Sequence, residues 1–212
     1  MTLRFALSRT AEVVDKLVAL NARAMPAMGS RDHAAWVMNV LAHVVGPWLV
    51  AQDAAGRSLA SADARSMPLM AALGDEGYLG ITLDADDLAE GPVSPPAAAV
   101  ALARVMAPAV NALAYAGPLA PRACWRLAGD GLAWGWSQNG DMERGREILT
   151  AYGAPFANRQ LVFDADGVAR RGGCCRYLAV SGAVCLNCPL TKGKAGAPVV
   201  GAPTMARLRK SG

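Results

Sequence analysis

Ala34-Ala-Trp-Val-Met-Asn-Val-Leu-Ala-His-Val-Val-Gly-Pro-Trp-Leu-Val-Ala51 runs for eighteen residues without a formal charge. It is long enough for a borderline membrane span. Asn39, His43, Gly46 and Pro47 weaken that reading, and a buried core helix kinked at Pro47 fits better. Peripheral contact with the inner face of a membrane stays open. Ser30 is placed to cap this helix, which the pattern carries to about Asp53.

Upstream, residues 10–24 read as a helix with Thr10 as N-cap and Val13, Val14, Leu17 and Leu20 on one stripe. Met25-Pro-Ala-Met-Gly29 ends it. Downstream, a polar loop leads to a strand at Gly77–Leu83. Asp84, Asp86 and Asp87 fail the calcium-loop pattern, because Leu88 stands at the fifth position with no glycine next, and read as a solvated loop. Gly91-Pro-Val-Ser-Pro-Pro96 is a break, followed by an alanine-rich helix over 97–115 with Pro108 inside. Two short apolar runs, Ala123–Leu127 and Leu132–Trp136, flank Gly129-Asp-Gly131 and predict a hairpin. A short helix over 141–152 and a strand and turn over 161–168 complete the pattern.

The expected architecture is α+β and mainly helical. A body with short antiparallel hairpins covers 1–165, a cysteine-rich segment 166–192, and a loosely held basic tail 193–212. With 212 residues, 53% hydrophobic and 18% charged, the chain can bury a real core without a metal. The net charge of +4 allows an anionic partner but does not demand nucleic acid, and none is expected. Arg4, Arg9, Glu12, Asp15 and Lys16 interrupt the apolar run that a signal peptide needs, so a reducing cytoplasm is the expected compartment.

Four of the five cysteines lie within fifteen residues: Cys174, Cys175, Cys185 and Cys188. Clustered thiols in a reducing compartment favour zinc or an iron–sulfur cluster over a disulfide. Cys185-Leu-Asn-Cys188 can turn both sulfurs to one centre, and Pro189 stops the loop from becoming a helix. Side chains of adjacent residues in an extended chain point to opposite faces, so Cys174 and Cys175 share a site only if the backbone turns sharply. Gly172 and Gly173 are expected to supply that freedom. Paired Cys-x₂₋₄-Cys chelates are the usual zinc arrangement, and an adjacent pair fits a cluster better. Cys124 reads as a buried small hydrophobe.

The double cysteine after basic residues, the later Cys185-x-x-Cys188-Pro-Leu190, and the upstream Cys124-Trp-Arg-Leu-Ala-Gly-Asp-Gly-Leu132 resemble the siderophore-iron reductase family. Its type is the ferric-hydroxamate reductase with a C-terminal [2Fe–2S] domain. The resemblance is sharp over about residues 120–190. The family usually has ten residues between the two cysteine pairs, whereas Arg176 to Val184 gives nine. The resemblance implies that Cys174, Cys175, Cys185 and Cys188 are the ligands of a [2Fe–2S] cluster. It implies that the upstream body holds a ferric siderophore of hydroxamate type, reduced by one electron to release Fe(II) in the cytoplasm.

Gly74-x-x-Gly77-x-x-Gly80 lacks the dinucleotide spacing, so the electrons are expected from an external donor protein or reductant. Arg170, Arg171, Arg176, Lys192 and Lys194 form either a receiving surface for such a donor or a solvated face. Trp134, Trp136 and Arg176 are candidate substrate contacts, and Trp125 belongs with the aromatics of the same region. His33 and His43, ten apart, lie about 280° around a helix and read as structural. Two rivals to reduction remain open: an iron–sulfur electron-transfer or sensor protein, and a binding module stapled by zinc.

Overall fold

The computed structural model describes residues 2–60, 62–75, 77–91, 94–152, 162–163, 169–178, 184–185, 188–189 and 199–200. The expected turn over 164–168, the rest of the basic tail, Lys192 and Lys194 lie outside them.

Strand β1 (Thr2–Ala6) leads through one 3-10 turn (Leu7–Arg9) into helix α1 (Thr10–Ala24). The apolar stripe of α1 buries Val14, Leu17 and Leu20. Thr10 is the first helical residue and not the cap. Its hydroxyl donates to the Leu7 carbonyl at 2.6 Å, and Arg9 holds the cap position. Helix α2 (Ser30–Ala54) starts one residue after its cap, Gly29, and continues through Pro47. It is buried on nearly every side from Ala34 to Val45, as a helix in the middle of a core must be.

A five-residue helix, α3 (Ala62–Ser66), follows. Strands β2 (Pro68–Leu73) and β3 (Leu79–Leu83) then complete an antiparallel sheet in the order β1-β2-β3. The register pairs Phe5 with Leu69 and Ala71 with Ile81. Leu69, Ala71, Leu79 and Ile81 turn inward with the two-residue period of a half-buried strand. Strands β1 and β2 lie where the sequence reading placed no strand. Only Phe5 of β1 is buried, which leaves too little alternation to read.

Helix α4 (Pro95–Ala116) has Ser94 as cap and Pro95 in the first turn, where a missing N–H costs nothing. Helices α5 (Pro121–Asn139) and α6 (Met142–Tyr152) follow. Two-residue strands β4 (Val162–Phe163) and β5 (Ala169–Arg170) pair antiparallel, and β6 (Val184–Cys185) pairs parallel with β7 (Val199–Val200). Helices α2 and α4 are long and apolar enough to cross a membrane, yet 78% and 61% of their apolar windows are buried within the fold.

Helix α5 corrects the hairpin expected over 123–136. Gly129-Asp-Gly131 is not a turn; it sits in mid-helix where α5 crosses α2. A Cβ at Gly131 would lie 2.1 Å from the Ala42 carbonyl oxygen, and one at Gly46 would lie 2.5 Å from the Gly131 carbonyl carbon. The glycines lower helix propensity by about 1 kcal/mol each, and close helix–helix packing offsets that loss. Gly131→Ala is expected to lower the stability measured by urea unfolding by about 3 kcal/mol, through overpacking against main chain. Gly29→Ala meets open space and is expected to cost less than about 1 kcal/mol.

Candidate metal and substrate site

The crossing of α2 and α5 carries the segment from Arg171 to Tyr177, and four helix residues, Asp130, Asn39, Asp32 and Trp36, pin that segment down. Asp130 of α5 is 2% exposed. Its Oδ1 accepts the Gly172 amide at 2.5 Å and its Oδ2 the Gly173 amide at 2.8 Å. Arg171 reaches the same carboxylate, Nε to Oδ2 at 3.6 Å, and its Nη2 donates to Asn39 Oδ1 of α2. Arg176 Nε donates to Asp32 Oδ1 of α2 at 2.5 Å. Tyr177 stacks on Trp36 of α2, with ring centroids 5.6 Å apart.

These contacts use neighbours on the helix faces. Asp32, Trp36 and Asn39 recur every three to four residues and share one side of α2. Burial pushes the Asp130 carboxyl up to about 6, against the opposing pull of Arg171 and the two glycine amides. A carboxylate inside an apolar helix survives because each oxygen has a donor.

The turn at the double cysteine differs in one respect from expectation. The left-handed residue is Arg176, with φ of 67°, and neither Gly172 nor Gly173 has positive φ. Gly173 is needed for close approach instead, since a Cβ there would lie 2.8 Å from Leu127 Cδ2.

Cys175 and Cys188 are buried, and Cys174 is half-buried. Burial holds the Cys174 thiol above its ordinary value, and neighbouring Cys175 and Cys188 add to this. The Arg176 amide and guanidinium oppose it. Cys174 thus lies within electrostatic reach of both Cys175 and Cys188. Cys185 belongs to β6, and its side chain lies outside the described residues. Among the described residues no three His, Cys, Asp or Glu side chains converge as a metal-holding group. The donor chemistry suits a soft thiolate site, and a complete tetrad requires Cys185.

A cavity of about 260 Å³ opens beside Cys174, with Arg31, Arg126, Arg176 and Pro189 in its lining. Of the three candidate substrate contacts, Arg176 lines this cavity. Trp134 and Trp136 do not line this cavity: Trp134 is 40% exposed on α5, and Trp136 is buried in the core, packed over Gly145 of α6. Trp125 is partly buried against the core. A larger cavity, about 520 Å³, is lined by Arg65 and Arg104 and includes no cysteine.

Cys124 is fully buried, and burial pushes its thiol up to about 12, as suits an inert core residue. His33 Nδ1 accepts from Asn21 Nδ2 at 3.0 Å, and His43 Nδ1 donates to the Asn39 carbonyl at 2.8 Å. Asp87 accepts from Gln52 at 2.9 Å and pairs with Arg57. Asp130 is the residue that reading the sequence missed. Its signal is a lone acid inside an otherwise apolar helical stretch.

Asp130→Ala strands the Gly172 and Gly173 amides and Arg171. It is expected to lower stability by about 3 kcal/mol and to speed alkylation of Cys175 in metal-free protein. Unchanged alkylation would show that Asp130 does not hold this loop. Burial, then Arg171, holds His43 down at about 3, from an ordinary 6.5. The unfolded chain therefore binds a proton here below pH 6.5 that the folded chain refuses, and stability falls as pH drops through that window. Urea unfolding from pH 7 to 5 should show wild type losing stability relative to His43→Gln, by up to about 1.4 kcal/mol per pH unit.

No protein-family model matches the chain, no curated protein matches it, and neither does any solved structure.

Proposed function

We propose that this chain is a one-electron reductase of ferric siderophores that releases Fe(II) in the cytoplasm. In this reading Cys174, Cys175, Cys185 and Cys188 hold a [2Fe–2S] cluster. One observation carries the proposal: Cys174 and Cys175 sit on a loop tied to two core helices, beside a cavity that Cys174 lines, with Cys188 near enough to Cys174 to raise its thiol.

A bound cluster would supply single electrons at a potential set by its surroundings. The chain's own residues do the rest. Asp130, Asn39 and Asp32 hold the loop through Gly172, Gly173, Arg171 and Arg176. Burial of Cys175 and Cys188 keeps water from the thiols, and half-buried Cys174 faces the cavity. Hard oxygen donors hold Fe(III) far better than Fe(II), so one electron loosens a ferric chelate. An external reductant must restore the electron.

The test mixes dithionite-reduced protein with ferric siderophores and an Fe(II) trap. The proposal expects stoichiometric Fe(II) with at least one siderophore class and reoxidation of the protein. No Fe(II) with any class would leave an electron-transfer or sensor role instead. Cys175→Ser is expected to lose bound iron, and Cys124→Ser to retain it. Equal iron in both would overturn the ligand assignment.

A further inference from the structure

The cavity beside Cys174 is cationic. Arg31 comes from the first turn of α2, Arg126 from α5 and Arg176 from the cysteine loop, and no Asp or Glu is in the lining. Asp32 pairs with Arg176 and offsets one of the three charges. Arg31 and Arg126 have no carboxylate partner among the described residues, and Arg126 Nε is buried without a hydrogen-bond partner. The first turn of α5 adds its partial positive charge, because Leu119 and Ala123 also line the cavity and no acidic residue occupies that turn. A buried guanidinium nitrogen without an acceptor is costly, and an anion entering the cavity would repair it.

We infer that this cavity selects ferric chelates carrying net negative charge and binds a carboxylate or catecholate arm through Arg31, Arg126 and Arg176. The inference rests on the reductase reading and departs from the hydroxamate type implied by the resemblance. A ferric trihydroxamate is neutral at its metal centre and brings no charge to these arginines. A chelate with ionised arms brings several, and guanidinium groups grip carboxylates in bidentate fashion. At about 260 Å³ the cavity admits an arm and not a whole chelate, which would leave the metal at the mouth of a cavity that Cys174 lines. There the chelated Fe(III) would take one electron and leave as Fe(II). No bond to the protein forms, and the electron is made good by the external reductant.

Gallium(III) replaces iron in the test, because it keeps the charge and shape of the chelate and cannot be reduced under these conditions. Full-length protein is titrated with gallium citrate and with a neutral gallium trihydroxamate, read by tryptophan fluorescence, at about 50 mM and about 500 mM salt. The inference expects citrate to bind at least about tenfold more tightly at low salt, and to lose that advantage at high salt. Exposed Arg31→Glu should weaken citrate binding about tenfold, and Arg126→Gln should do the same. Arg104→Glu, in the other cavity, should leave it unchanged.

Arg31→Glu keeps the test decisive if Arg126→Gln fails to fold. Equal affinity for both chelates, tighter trihydroxamate binding, or citrate binding indifferent to Arg31→Glu would overturn the inference. Arginine-dependent citrate binding without Fe(II) release would sink the reductase reading and leave this site standing. Fe(II) release without arginine dependence would do the reverse.

Discussion

The close approach of α2 and α5 at Gly46 and Gly131 is the constraint on which the rest of the molecule depends. With main chain nearly touching main chain, the two helices act as one rigid platform. Larger residues at those positions would push the helices apart. Asp32, Trp36 and Asn39 would then move away from Leu127 and Asp130. The loop that carries Cys174 and Cys175 is fastened to both sets, so its shape follows the helix separation.

Electrostatics complete what packing begins. Asp130 would be costly alone in the interior, and Arg171 and two peptide amides make it tolerable. The same contacts fix the backbone immediately before the double cysteine. A buried ionic group is weak evidence of stability but can specify one arrangement over others. Here the arrangement specified is the approach of the chain to Cys174 and Cys175. Beyond the loop, the adjoining cavity carries the side chains of Arg31, Arg126 and Arg176.

Much of this was legible in the residues. The apolar stripe of α1, the charge-free stretch of core helix α2 and the strand that contains β3 follow from local pattern, and the structure agrees, whereas Pro95 and Pro96, read as part of a break, already open α4. Gly129-Asp-Gly131 misleads because glycines between short apolar runs have the same local signature as a turn. What makes them helical is the Ala42 carbonyl, nearly ninety residues away in sequence. Strands β1 and β2 pair across more than sixty residues, and local alternation in β1 is too weak to announce it. That four cysteines crowd into fifteen residues is visible in the sequence, and it led to the proposed metal site. The anchors of the cysteine loop are not visible there, because Asp130 lies 42 and 43 residues from the glycines it holds. Trp134 and Trp136, candidates for a cleft on the expected hairpin, lie instead on α5, one exposed and one in the core, and neither lines the cavity beside Cys174.

The proposed reduction passes through the metal centre, and the colour of the protein addresses that centre most directly. Visible absorption of anaerobically purified full-length chain, followed by EPR after one-electron reduction, reads it without any assumption about substrate. The account predicts a coloured protein with iron and sulfide in equal amounts and the paramagnetic signal of a reduced [2Fe–2S] cluster. A colourless protein holding stoichiometric zinc would contradict it.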